Sequence, residues 1–514
     1  MFKSFFKVFL TRKILNQSTK KIIKHNLRQW PSSKVNNKKS TILIDFYTIP
    51  ETVLSFSYFA NVLAKRNNSE IISFSDKPKI INSVLHKVYE SFNTSGHIFP
   101  ELNLEQESKV NSIFESIKSK IKTKDGLFNL EIMGLDVGVD IYETYLRTYL
   151  KPTVDLDDPK LIFIVKKAIL LVIFWVEYFK KEKVAAVIVS HDMYIQYNII
   201  CKVAYSFDIP VYLPNLLGAT YAKKPYSCYT YFREYRKEFN KLSETEKEQG
   251  VLLAKKQINK KMNGEVGVDM PYSTKTAFHK NYIKSRVLKE SSNLKVLIAS
   301  NCFYDNPHGY EKMLFNDYYE WLFFLGDISQ KTNFDWYLKM HPDPMPGTVE
   351  DMEKILSNFP NIKFLSNETS HFQLIEEGID VVLTTMGSVG HEYPLFGIPV
   401  VNAGYNPHIA YDFNIHPESI ESYKQTLLKL DNLNLNINTD DIYEFYFMHY
   451  INLAKDDFIL NSNDDLFNKL DVENRTSSKF YDYYLNQFSV EKHIDTLKKI
   501  NNFIDSKETF FFKF

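Results

Sequence analysis

Residues 380–404, DVVLTTMGSVGHEYPLFGIPVVNAG, read as a strand, a glycine-bearing loop, a short helix and a second strand in one run. The β-branched apolar stretch 381–385 is of the kind buried on both faces of a parallel sheet. Gly387 and Gly390 let the backbone turn tightly and come close to a ligand, and Gly397 is placed to end the helix. Amides opening that helix, unpaired and at the positive end of its dipole, favour an anion. Glu392, in the first helical turn, is positioned to accept hydrogen bonds from ribose hydroxyls. Glycines at this spacing also serve ordinary strand-to-helix turns, so the neighbouring residues decide.

Upstream, 294–299, 335–339 and 362–365 read as strands, alternating with helices over 311–330, 348–357 and 370–377. Leu314, Tyr318, Trp321 and Leu325 share one face of the first of these helices and anchor it to the sheet. Nearer the N-terminus a second alternating series has strands at 41–44, 70–74, 184–189 and 209–213 and helices near 52–65 and 195–207. Two such series predict an α/β chain of two Rossmann-like domains. The strongly charged stretch 243–292 loses the sheet-like runs and holds the linker. The expected organisation is a basic arm at 1–39, a first domain at 40–270, a linker at 271–292, a second domain at 293–430, and a helical segment at 431–514 that packs back on the body.

Composition limits the function classes. At 514 residues the chain is long enough for two domains plus extra helices. A formal net charge of +1 gives no reason to expect a nucleic-acid partner. Cys201, Cys228 and Cys302 are too few and too widely spaced for a disulfide framework or a zinc site, which fits a reducing cytoplasm. The longest apolar run, 168–176, has nine residues and reads as buried helix, not as a membrane span. The first 39 residues carry eleven Lys or Arg and no acid, with Phe2, Phe5, Phe6, Val8, Phe9 and Leu10 among the early charges. A basic amphipathic segment of this kind suits an anionic membrane surface, so residues 1–30 are expected to make peripheral contact with the inner face of the cytoplasmic membrane. A solvated basic arm, or a helix packed on the body, is the competing expectation. The aromatic C-terminus, ETFFFKF, is expected to dock on the body or on the same surface.

Lys339, His341 and Pro342, in YLKMHPDP, end the second strand of the later domain. They should lie on the same carboxyl rim as the loop 387–390. A cation and a hydrogen-bond donor beside helix-opening amides suit nucleotide phosphates. With Lys-x-His-Pro at 339–342, Gly-x-Glu-x-x-x-x-Gly-x-Pro-Val at 390–400 and VLIASNCFYDNPHGYEKMLFNDYYEWL at 296–322, the chain resembles the capsule polysaccharide biosynthesis family, which includes bacterial Kdo transferases of capsule export. The resemblance covers 294–412 well and the earlier half in outline. It implies a GT-B-like fold with two domains facing a cleft and added N- and C-terminal helices. It also implies that Lys339 and His341 contact the donor phosphate, that Ser388 and the backbone near Gly387 and Gly390 surround it, and that Glu392 helps hold the nucleotide. Three departures stand out. Met386, Gly387 and Ser388 replace a common Asn-Ser-Thr, His391 replaces an apolar residue, and Val400 stands where many retaining GT-B enzymes carry a second Glu.

Glycosyl transfer needs a stabilised leaving phosphate and either a base for the acceptor hydroxyl or a nucleophile. His191, Asp192, Asp305 and His308 each follow a predicted strand and are the candidates, with roles unassigned. Asp155, Asp157 and Asp158 form an Asp-x-Asp pattern, but they precede a long helix instead of ending a buried strand, so no metal is expected. The expected partners are a nucleotide-sugar donor and a glycan or glycolipid acceptor, with no separate cofactor. The expected activity is transfer of the sugar to a surface polysaccharide or its lipid-linked primer. Nucleotide-sugar epimerisation, glycerol-phosphate transfer of the teichoic-acid type and a non-catalytic scaffold are the alternatives.

Overall fold

The computed structural model describes residues 15–31, 39–76, 84–214, 219–222, 231–269, 275–342, 344–452, 459–460 and 476–511. Residues 1–14, with the six apolar residues of the basic arm named above, lie outside them.

Two sheets organise the chain. The first contains β1 (Ser40–Asp45), β2 (Ser69–Phe74), β3 (Thr94–Ile98), β6 (Val184–Ile188), β7 (Val211–Pro214), β8 (Ala219–Ala222) and β14 (Phe510–Phe511), while β4 (Glu131–Ile132) and β5 (Leu135–Asp136) form a separate hairpin. Its order is β14-β8-β7-β6-β1-β2-β3, parallel except for the antiparallel pairs β7–β8 and β8–β14. The second sheet contains β9 (Lys295–Ala299), β10 (Asp335–Lys339), β11 (Ile362–Phe364), β12 (Val381–Thr384) and β13 (Val400–Asn402), in the order β11-β10-β9-β12-β13. All its pairs are parallel.

In both sheets the first strand lies centrally and the strand succession reverses beside it, between β1 and β6 and between β9 and β12. Carboxyl ends diverge at such switch points and leave a crevice for ligands. The strands are apolar on both sides. Ile42 and Ile44 enter one core and Leu43 the other; Val296 and Ile298 enter one, and Leu297 and Ala299 the other. This alternation, with both sets apolar, demands helices on both faces. The result is the predicted GT-B-like pair of Rossmann-like units with extra helices.

Local chemistry sets the helix ends. Helix Pro50–Asn67 starts at a proline and stops at Asn68, which adopts φ 53°. Asp158 caps helix Pro159–Lys181 by accepting from the Lys160 amide, and it also accepts from Tyr145 Oη at 2.8 Å. Asp155 accepts from the Asp157 amide at 3.0 Å. The acidic triplet is thus a turn and a helix cap. The helix expected at 311–330 is shorter, Tyr318–Ser329, capped by Asp317. The residues before it are committed elsewhere: Leu314 N donates to Ala403 O at 3.1 Å and Tyr405 N to Lys312 O at 2.6 Å. Leu314 therefore precedes the helix, while Tyr318, Trp321 and Leu325 are buried as expected.

The ends of the chain tie onto the first domain. Helix Gln17–Gln29 buries Thr19, Ile22 and Asn26; Lys21 pairs with Asp482 at 2.8 Å and Asn26 Nδ2 donates to Ser91 Oγ at 3.0 Å. Trp30 packs edge-on against Tyr58, with centroids 5.1 Å apart. Residues 510–511 add a strand to the sheet edge. Removing residues 1–30 strips Ile22 and Trp30 from the core and should cost roughly 3–5 kcal/mol, a loss that removing residues 1–14 avoids. Thermal denaturation of both truncations checks this, and the shorter one is the fair reagent for liposome binding.

A further core joins the halves: helix Glu244–Met262 packs on helix Thr439–Tyr446 and the π-helical turn Phe447–Asn452. Across the domains, fully buried Asp317 accepts from Tyr142 Oη and Thr153 Oγ1, each at 2.5 Å. Lys124 Nζ reaches Glu320 at 2.8 Å.

Candidate functional site

The carboxyl ends of β9, β10 and β12 frame a cavity of about 110 Å³. Among its lining residues are Ala299, Ser300, Asn301, Lys339, His341, Pro342, Thr384, Gly387, Ser388 and Glu392. The structure thus brings Lys339, His341, Gly387, Ser388 and Glu392 together at the β9/β12 switch point. Lys339 is 2% exposed. Among the described residues its ammonium reaches only the Met340 carbonyl, at 3.5 Å, a marginal hydrogen bond. Burial lowers its pKa to about 8, against the opposing pull of Glu392 and Glu368. His341 is exposed at the rim.

The glycines act differently from the sequence expectation. Neither Gly387 nor Gly390 adopts a positive φ, although Gly397 does, at 75°. Their role is space. A Cβ on Gly387 would lie 2.8 Å from Thr384 Oγ1, and one on Gly390 would lie 2.6 Å from the His408 ring. Gly390 packs behind the cavity and is not part of its lining. The following helix, Val389–Glu392, is a single turn leading into a 3₁₀ turn at Pro394–Phe396, so its dipole contributes little. Gly387 N donates to Thr384 Oγ1 at 3.3 Å, whereas the amides of Ser388 and Val389 take no backbone carbonyl among the described residues. Asn301 Nδ2 ties the β9 loop to Thr385 Oγ1.

Glu392 departs most from its expected role. It is buried, and its Oε1 is bonded to Lys261 Nζ, which also bonds Asp269 Oδ2 at 2.5 Å. Burial opposes the Lys261 charge, yet Glu392 and Asp269 hold its pKa above the usual lysine range. Burial likewise opposes ionised Asp269, but Lys261 and His391 hold it well below the usual carboxylate range. A ribose would meet Glu392 as one arm of this ion triad. Asp269, His391 and Glu392 have candidate ligand atoms within 4.8 Å of one another. The Lys261 ammonium already bridges the two carboxylates, so this donor set does not suit a divalent ion unless the lysine withdraws. Sequence reading missed Lys261 and Asp269, because a charged helix end beside a predicted linker carries no sign of burial.

Across the cleft, β1 and β6 end in a second set of polar residues. Ser190 Oγ donates to Asp45 Oδ2 at 2.8 Å and lies 2.8 Å from His191 Nδ1. With Asp45 ionised, Ser190 accepts from His191 Nδ1–H, and Nε2 carries the lone pair. Tyr197 packs on the imidazole at 4.2 Å. Burial lowers the His191 pKa to about 4, with Asp305 opposing and Arg147 adding to the effect, so the ring is neutral at pH 7. Asp305 is half-exposed, 3.4 Å from Arg147 Nη1, and accepts from Tyr194 Oη at 3.1 Å. Tyr194 itself holds φ 64°, the kind of backbone outlier that collects at functional sites.

Asp45, unforeseen in the sequence, is fully buried, and burial raises its pKa to about 7 against the Ser190 hydrogen bonds. The rise from 3.8 to about 7 disfavours the folded state by roughly 4 kcal/mol once the group ionises. Because the folded pKa lies above the unfolded one, stability falls as pH rises from 4 to 7. Asp45→Asn keeps an acceptor for Ser190 and should be the more stable protein at pH 8, with the difference shrinking towards pH 4. Urea denaturation of both proteins across that range checks the sign.

His308 and Asp192 belong to a separate cavity of about 300 Å³ between the domains. Glu143 Oε1 accepts from the His308 amide at 2.9 Å and lies 3.1 Å from Nδ1. The Asn306 amide, in its bonding orientation, donates to both Glu143 oxygens. The four candidates thus divide, with His191 and Asp305 in one group and Asp192 and His308 in the other. Glu143 was also unforeseen; a glutamate within a helix gives no hint of a partner 165 residues away.

No family model and no curated protein matches the chain. Similar solved structures include Thermosulfurimonas dismutans KpsC, a beta Kdo 2,4 transferase, at 11% identity and TM-score 0.29, covering 53% of this chain and 85% of that one. UDP-GlcNAc 2-epimerase from Neisseria meningitidis, bound to UDP-GlcNAc, has 11% identity and TM-score 0.22, covering 87% and 100%. Anabaena HepE, in complex with UDP and glucose, has 11% identity and TM-score 0.22, covering 87% and 100%. At these scores the likenesses assign neither substrate nor reaction to this chain.

Proposed function

We propose that this protein is a glycosyltransferase that moves a sugar from a nucleotide-activated donor to a surface polysaccharide, of capsule or lipopolysaccharide type, or to its lipid-linked primer. The observation that carries this reading is the buried Lys339 ammonium at the β9/β12 switch point, with no carboxylate bonded to it among the described residues. A buried cation so poorly matched costs stability, and a phosphate in the cavity would satisfy it. The quoted family resemblance and the open amides of Ser388 and Val389 support the same occupant.

In this reading Lys339, His341 and those amides take up negative charge on the leaving phosphate as the bond from the anomeric carbon to its oxygen breaks. The acceptor oxygen forms the new bond, and its proton passes to an imidazole on the opposite wall, that of His191 or His308. Lys261 holds Glu392 in place. Transfer proceeds without a divalent ion, and a chelator leaves the rate unchanged. The protein works in the cytoplasm, with the basic arm 1–30 holding it at the inner face of the membrane beside its acceptor.

The test is to incubate the protein with a panel of nucleotide sugars and glycan or glycolipid acceptors and to read products by mass spectrometry. The expected result is an acceptor heavier by one glycosyl unit together with free nucleotide. An isomerised donor formed without acceptor, transfer of glycerol phosphate, or no turnover across the panel would each contradict the reading.

A further inference from the structure

Asp45 ends β1 and Ser190 follows β6, and the parallel register that sets Ile44 beside Ile188 brings the two to one switch point. From there a chain of hydrogen bonds leads out of the core. Ser190 Oγ donates to Asp45 Oδ2 at 2.8 Å and lies 2.8 Å from His191 Nδ1. Asp45 is 3% exposed, whereas His191 is only half-buried. With Nδ1 taken by Ser190, Nε2 has no partner among the described residues and is open to solvent. The chain thus joins a buried carboxyl to an imidazole nitrogen that a ligand can reach.

Relative basicity decides which member keeps a proton. In a Ser-His-Asp triad the aspartate is the weaker base and stays ionised while the imidazole holds the charge. Here burial inverts the order, raising the Asp45 pKa to about 7 and lowering that of His191 to about 4. A proton arriving at Nε2 makes an imidazolium that burial disfavours. It is relieved when Nδ1–H passes to Ser190 Oγ and the former Ser190 proton passes to Asp45. The ring ends neutral, in its other tautomer.

The surroundings leave this exchange to the three groups. Asp76, which pushes the Asp45 pKa further up, is paired with Lys167 at 2.6 Å. Burial raises the pKa values of Tyr89, Tyr197 and Cys201 beside Asp45 and of Tyr194 beside the ring, so these stay uncharged near neutral pH. Asp305 and Arg147 act on the His191 charge in opposite directions. Tyr47 packs edge-on against the imidazole at 5.9 Å.

We propose that His191 Nε2 takes the proton of the acceptor hydroxyl and that Asp45, a positioning residue, receives a proton in turn through Ser190. The inference rests on the proposed transferase function and chooses between its two histidines. As the acceptor oxygen bonds to the anomeric carbon, its O–H bond breaks and N–H forms at Nε2. The Nδ1–H bond breaks as a new Ser190 O–H forms, and the old Ser190 O–H breaks as Asp45 O–H forms. One negative charge disappears from Asp45, and one appears on the leaving phosphate.

The experiment is 15N NMR of the full chain labelled in its histidines, from pH 5 to 9, with His191→Gln assigning the ring. As pH falls from 8 to 6, Nε2 should pass from the unprotonated to the protonated position while Nδ1 moves the opposite way. Asp45→Asn and Ser190→Ala should abolish this exchange, and the remaining histidine resonances show that both variants are folded. Protonation of both ring nitrogens below pH 7, a tautomer fixed across the range, or the native titration in both variants would overturn the relay. Transfer between the donor and acceptor found by the nucleotide-sugar panel gives a second reading. The kcat of Asp45→Asn should lie roughly tenfold or more below the native value at pH 8 and within about twofold of it at pH 5.5, with KM unchanged. A ratio that does not vary with pH marks a merely structural aspartate and overturns the proposal. Tautomer exchange in a protein that transfers no sugar from any donor of the panel would instead overturn the transferase reading and leave the relay standing.

Discussion

Lys339→Met should yield a protein that is more stable than the native chain at pH 7 yet binds nucleotide roughly ten- to hundredfold more weakly. The stability gain follows from the lysine's environment. Burial takes its pKa from 10.5 to about 8, and a folded pKa below the unfolded one means that the charged form disfavours folding. That cost, roughly 3 kcal/mol, is fully present below pH 8 and disappears as pH rises from 8 to 10.5. Methionine fills nearly the same volume without the charge. The loss of affinity follows from removing a charge-assisted hydrogen bond of about 1.5–3 kcal/mol. Nucleotide affinity of the native protein should also fall about tenfold between pH 7 and 9, because binding above pH 8 requires a proton on Lys339 while the terminal phosphate is already ionised. Urea denaturation combined with nucleotide titration separates this outcome from simple misfolding, which would lower both quantities.

Lys261→Met should do the reverse and destabilise the protein by about 3–5 kcal/mol, because it leaves Asp269 and Glu392 buried together without their cation. The pair of signs defines the pH window. The Asp269 pKa is depressed, so its contribution is present above pH 4 and is lost as pH falls further. The Lys261 pKa is raised, so its contribution is present below pH 10 and is lost above that. The native protein should therefore show no change from this triad between pH 5 and 9. In the variant, stability should recover on acidification, as the two orphaned carboxylates take up protons. A further Asp269→Asn substitution should restore more than half of the lost stability. Chemical denaturation of the two variants at pH 5 and pH 8 measures both effects.

These two lysines also show how far the sequence could be read. The second sheet was legible because each of its strands is a short β-branched or aromatic run, and the repeated strand–helix order puts every carboxyl end on one rim. The meeting of Lys339 with 387–392 follows from that order alone. The first domain was legible in its strands at 40–45, 69–74 and 184–188, though not in the helices between 104 and 181, where only the short hairpin 131–136, outside the main sheet, interrupts them. Lys261 was not legible, since a lysine pair at the end of a charged helix reads as solvated until the packing of that helix is known. Asp45 was hidden for a related reason: a carboxylate ending a strand gains meaning only at a switch point, and strand order is a tertiary property. The glycines of 387–390 were recognised as necessary, but the sequence could not distinguish a need for unusual backbone angles from a need for room beside Thr384 and His408.

The cavity at the β9/β12 switch point is proposed to bind nucleotide phosphate through Lys339. Its most direct test is calorimetric titration of CMP, UDP, GDP and CDP at pH 8.5, in two buffers of different ionisation enthalpy. At least one nucleotide should bind with one-to-one stoichiometry and with uptake of more than half a proton, and Lys339→Met should abolish the uptake. Absence of binding by all four nucleotides, or binding of equal strength and without proton uptake in both proteins, would contradict it.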